Sequence, residues 1–66
     1  EISASIFELA HKNPKAEIYW YMDQDFLGKT VGSHKKEIVA NEGKHEFVFI
    51  DQFGNTFERK IEFIFR

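Results

Sequence analysis

The 66-residue sequence contains no cysteine. Thiol catalysis, cysteine-based zinc sites and disulfide staples are therefore excluded. It holds a single proline, Pro14, and four glycines, so few positions bar a regular strand. No apolar run approaches the roughly 20 residues that a bilayer-spanning helix needs, and no leader-peptide pattern is visible. A basic excess is also missing: nine Lys and Arg face eleven Asp and Glu, for a net charge of −2. Readers of nucleic acid carry clear positive charge to neutralise phosphates, so no nucleic-acid partner is expected. Disorder is equally unexpected, because eight Phe, two Tyr and one Trp supply a core at low net charge. A chain this short forms one domain, residues 1–66, and buries only about 60% of the surface its unfolded form exposes. It opens on Glu1-Ile2-Ser3 without an initiator Met, inside an apparent strand. That start reads as a piece of a longer protein, truncated at its N-terminus.

The rest is strands and turns. Ile2, Ala4 and Ile6 share one face and Phe7 and Leu9 the other, a change of parity that predicts a bulge or bend. Pro14 stops the pattern. From Ala16 to Asp23, Ile18, Trp20 and Met22 point one way and Tyr19 and Tyr21 the other. The polar Asp23-Gln24-Asp25 then turns the chain into Phe26-Leu27, a hairpin. Gly28 and Gly32 are expected to loosen the region that follows, and Lys35 to Ala40 reads as a weaker strand. Asn41 to Lys44 is a turn in which Gly43 is free to take positive φ. Phe47-Val48-Phe49-Ile50 is apolar on both parities, as in a strand covered on both faces. Asp51 to Asn55 reads as a type I turn closed by a glycine bulge. In the last strand Phe57, Ile61, Phe63 and Phe65 align, opposite Glu58, Lys60 and Glu62. Phe63-Ile64-Phe65 is apolar on both faces, so Ile64 is expected to be covered. A helical reading fails nearly everywhere; Lys35 to Glu42 is the one tempting run, and its Ile38-Val39 pair is β-branched. The fold expected is all-β and antiparallel, with a core of Trp20, Ile18, Met22, Phe47, Phe49 and Phe63.

The ordered series Ile18-Tyr19-Trp20-Tyr21-Met22-Asp23, Phe26-Leu27-Gly28-Lys29-Thr30, His34, Gly43-Lys44-His45 and Asp51-Gln52-Phe53-Gly54-Asn55 resembles the C-terminal domain of class A penicillin-binding proteins of the 1C type. That pattern runs Tyr-Trp-x-x-Asp, Leu-Gly-x-Thr, x-His, Gly-x-His, Asp-x-x-Gly, and Ala10 to Pro14 matches its first inter-strand turn. The resemblance spans residues 7–63. Gln24 stands where the family usually has Gly, and Asn41-Glu42 replaces a Pro-rich turn. The resemblance implies an immunoglobulin-like Greek-key β-sandwich, in a form that usually has further β structure upstream. It implies a non-catalytic accessory module of an anchored cell-envelope parent, on the periplasmic side of the inner membrane. The parent would be a bifunctional glycosyltransferase and transpeptidase of peptidoglycan synthesis. The partners implied are the parent's catalytic domains, other envelope proteins or peptidoglycan. No cofactor is implied, and an unprotected sheet edge would allow an edge-strand homodimer. A generic immunoglobulin-like spacer and a carbohydrate-binding module of another envelope protein are the alternatives.

Several local patterns suggest chemistry and are read more simply. Ser33-His34-Lys35-Lys36 spells the Ser-x-x-Lys of transpeptidases, but that motif works at a helix start, and strand residues three apart face opposite ways. Gly28-Lys29-Thr30 resembles the end of a phosphate loop, yet Asp23 occupies the position of the required earlier glycine. His11, His34 and His45 lie in separate turns or strand starts, where each satisfies local backbone or packs beside Trp20 or Tyr19, so no metal is expected. Asp23 and Asp25 form a hairpin tip rather than a hydrolase's carboxylate pair. Lys44 to Phe49 lacks the glycines of an RNA-recognition strand. Tyr19 and Tyr21 remain the binding candidates, because outward aromatics stack on sugars and rim protein interfaces.

Overall fold

The computed structural model describes residues 2–64. Six strands succeed one another: β1 (Ile2–Leu9), β2 (Glu17–Met22), β3 (Asp25–Val31), β4 (His34–Asn41), β5 (Gly43–Asp51) and β6 (Thr56–Phe63). They form two antiparallel sheets, β1-β4 and β3-β2-β5-β6. No helix occurs among the described residues. The architecture is all-β and consistent with a sandwich.

Parity along each strand decides what lies between the sheets. On β2, Ile18 and Trp20 are buried. Opposite them in register stand Asp51 and Phe49 of β5. Phe47 and Phe63 complete the apolar floor, and Ile38 and Ala40 of β4 close it from the other sheet, with Met22, Phe7, Leu9 and Ile61 packed at its margins. Trp20 meets Phe49 edge to face with centroids 5.2 Å apart. Phe7 of β1 lies 5.4 Å from Phe47. Such aromatic pairs add about 0.5–1.5 kcal/mol each beyond burial, a useful increment in so small a core.

A turn and a strand position take positive φ. Asp23 and Gln24 connect β2 to β3 with φ of 50° and 74°. That is the geometry of a two-residue turn whose twist matches the strands it joins. In β3, Gly28 sits opposite Trp20 at a register shift between Trp20 and Tyr21. A side chain there would meet the Lys36 ammonium at 2.9 Å, in a backbone held at φ of 143°.

Several sequence expectations are corrected. β1 contains no bulge: its register with β4 runs unbroken from Ile2↔Asn41 to Leu9↔His34. Exposure alternates regularly from Ala4 to Leu9, and the outward Ile6 is simply 74% exposed. β3 runs through Gly28 to Val31, and the looseness expected near Gly28 is confined to one register shift beside it. β5 is not covered on both faces, since Val48 and Ile50 are only half-buried and the second sheet lies on the Phe47 side. Ile64 is not covered either, being 58% exposed. It has the outward parity, where no layer packs among the described residues. Phe65 lies outside the described residues.

Candidate functional site

Polar groups concentrate at two places. The first is the turn after β5. Asp51 is buried, and its carboxylate accepts four hydrogen bonds. The Phe53 and Asn55 backbone N–H groups donate to Oδ1, both at 2.9 Å. The Asn55 side-chain amide and His11 Nε2 donate to Oδ2, again at 2.9 Å. His11 Nδ1 accepts the Asn13 N–H at 3.0 Å, so the ring's proton is on Nε2, facing Asp51. The His11 hydrogen bond first, then those from the turn, hold the Asp51 carboxyl far below its ordinary range. Chemically this is a carboxylate-oriented imidazole whose second nitrogen is also occupied, with no nucleophile bonded to it among the described residues. It ties the β1–β2 loop to the β5–β6 turn.

Beside it, Trp20 Nε1 donates to Thr30 Oγ1 at 2.8 Å. The Thr30 hydroxyl lies 2.7 Å from His34 Nδ1. The arrangement that uses each group once has the hydroxyl donating to Nδ1, which puts the imidazole proton on Nε2. His34 is buried, and Nε2 is the one buried side-chain polar atom without a partner among the described residues. Burial first, then the nearby His11 ring, pushes the His34 pKa down. The two rings are 6.5 Å apart.

The second place is the opposite end. Asp23 Oδ1 accepts the Glu46 N–H at 2.9 Å, and His45 Nδ1 donates to Asp23 Oδ2 at 2.6 Å. His45 Nε2 donates to the Asn41 carbonyl at 2.7 Å. With acceptors at both nitrogens, chiefly Asp23, His45 is held above its ordinary pKa. The Glu46 N–H and His45 in turn lower that of Asp23.

The three histidines therefore do not converge. His11 and His34 come together and His45 sits apart, and no cluster of three metal-binding groups exists among the described residues. Asp23 is a turn residue that bonds His45 and Glu46. Ser33 is exposed in the β3–β4 connection, and Lys36 leans over Gly28.

Tyr19 and Tyr21 face away from the core, half-buried. Across them run two rows of cross-strand neighbours: Phe26, Tyr21, Val48 and Glu58, then Lys29, Tyr19, Ile50 and Thr56. Phe26, 58% exposed, lies 5.4 Å from Tyr21 and 6.5 Å from Tyr19. The result is an apolar patch bordered by the Lys29–Glu17 ion pair at 2.9 Å. Sequence reasoning finds the tyrosines but misses Phe26, Val48 and Ile50. The parity that puts Phe47 and Phe49 inside puts Val48 and Ile50 outside, a signal obscured by assigning β5 two covered faces.

Comparison with protein-family models found no match. Neither the curated proteins nor the solved structures searched gave a match.

Proposed function

We propose that the chain is a non-catalytic docking module with an immunoglobulin-like Greek-key topology, belonging to an envelope protein of peptidoglycan synthesis like the 1C-type penicillin-binding proteins it resembles. The observation that carries the docking role is the aromatic outer face of the four-stranded sheet. Half-exposed aromatic and aliphatic side chains in one patch, with charge at its border, suit burial against another protein. Val48 and Ile50 beside the tyrosines favour protein over glycan, since they offer a sugar no hydrogen bond. The topology is supported by strand order: β3-β2-β5-β6 opposite β1-β4, with the buried Trp on β2, parallels the immunoglobulin arrangement of a Trp-bearing strand packed at the centre of the sandwich. A role without bond making is supported by the occupation of both His11 nitrogens and both Asp51 oxygens within the fold.

The module would act on the periplasmic side of the inner membrane, positioning the parent's catalytic domains by surface complementarity. Calorimetric titration of the chain into a transpeptidase-domain fragment of a 1C-type penicillin-binding protein tests this. Saturable binding is expected. Heat of dilution alone would contradict the reading, and retention on purified peptidoglycan instead would turn it toward glycan.

A further inference from the structure

The four-stranded sheet presents more inner face than the two-stranded sheet covers. Phe7 of β1 packs on Phe63 at the end of β6, centroids 5.8 Å apart, and Phe63 is buried. On the same face near the start of β6, Phe57 is 52% exposed and Arg59 is exposed. Between them and the C-terminal end of β1 opens a groove of about 520 Å³. That is within the roughly 300–1,000 Å³ usual for binding sites. Leu9, Ile18, Phe49 and Phe57 make its apolar lining, and Lys12 and Arg59 its cationic one.

The groove adjoins a strand edge. Among the described residues β1 pairs only with β4, so its second edge offers main-chain donors and acceptors to an incoming strand. Its charge is defined too. Among the described residues neither Lys12 nor Arg59 is in an ion pair. The Arg59 guanidinium donates one bond, to the Glu58 carbonyl, of the five it can make. Asp51, the one carboxylate lining the groove among the described residues, is already filled by four donors. A chain of net charge −2 thus carries a positive spot beside an apolar floor and an open edge.

We propose that this groove binds an extended acidic peptide segment by strand addition to β1. Alternate side chains of the segment would bury against Leu9 and Phe57, and its carboxylates would meet Lys12 and Arg59. The site lies on the opposite side of the four-stranded sheet from Tyr19 and Tyr21, so it stands or falls independently of the docking face.

The test is an amide NMR titration of the whole chain with a capped Val-Glu-Val-Glu-Val-Glu peptide. Two counterparts are run beside it, one with Lys for Glu and one N-methylated at alternate residues. Saturable shifts are expected along β1 and at Lys12, Phe57 and Arg59, with both counterparts at least about tenfold weaker, or 1.4 kcal/mol. The double variant Lys12→Glu, Arg59→Glu should reverse the charge preference while its melting temperature stays near the parent's. The proposal is overturned by equal binding of acidic and basic peptides, or by the same β1 shifts with acetate alone. Shifts confined to the Tyr19 face, or none at millimolar peptide, would also overturn it. Sedimentation showing a dimer whose interface is β1 would overturn it too, by assigning the edge to a second copy.

Discussion

Gln24 is the residue whose identity and geometry disagree most. Its φ of 74° lies in the left-handed region, which costs an ordinary side chain roughly 1–2 kcal/mol and glycine almost nothing. Gln24→Gly should therefore stabilise the chain by about 1 kcal/mol in urea unfolding, with the slope unchanged. Trp20 is the reverse case. It is fully buried and its indole N–H is used, so Trp20→Ala should cost about 3–5 kcal/mol, comparable to the whole stability of a small domain. Thr30→Val separates packing from polarity at that site. It keeps the volume but strands both the indole N–H and His34 Nδ1, and each orphaned buried group costs about 1–3 kcal/mol. A loss as large as that of Trp20→Ala would mean that the hydrogen-bond chain, not the aromatic packing, holds this part of the core.

At the scale of elements, pairing sets local stability. β2 and β5 are bonded on both sides, whereas β1, β3, β4 and β6 each have one free edge among the described residues. Hydrogen exchange should rank accordingly: amides of Phe47 to Phe49 and of Tyr19 to Trp20 exchange last, those of β1 early. Uniform protection across both sheets would contradict this ranking. The strands are legible because each is short enough for period-2 alternation to show: Ile18 and Trp20 announce the core by parity on β2 and Phe63 on β6, whereas Phe47 and Phe49 sit in a run apolar on both parities. What composition hides is the cover on each face. Ile64 and the Val48–Ile50 pair look buried by residue type, yet burial depends on a second layer, which among the described residues lies on the inner side alone. A bulge in β1 is needed only if the apolar Ile6 must be inside; at 74% exposure it is not. The His11–Asp51 bond joins residues forty positions apart, and no local pattern announces such a partner.

For the whole molecule, acid and base act through different groups. Asp51 and Asp23 have folded pKa values below their ordinary 3.8, so their contribution is complete above that pH and is lost as pH falls through the folded values. His34 is depressed below 6.5; the unfolded chain takes up that proton first, and stability declines as pH drops below 6.5. His45 is raised above 6.5, so its contribution is complete below that pH and is lost as pH rises through the raised value. Stability should peak near the 6.5 shared by both histidines. His45→Gln should flatten the alkaline limb and leave the acid limb in place, as read from melting temperatures between about pH 4 and pH 9. A variant losing stability equally at every pH would mean that His45 acts by packing on Phe63 rather than by charge.

The most direct test of a passive module that docks through its outer sheet is a cross-saturation NMR footprint of the labelled chain bound to the transpeptidase-domain fragment. The account predicts saturation centred on Tyr19, Tyr21, Phe26, Val48 and Ile50, with His11, His34 and Asp51 untouched. A footprint centred on those three polar residues would contradict it.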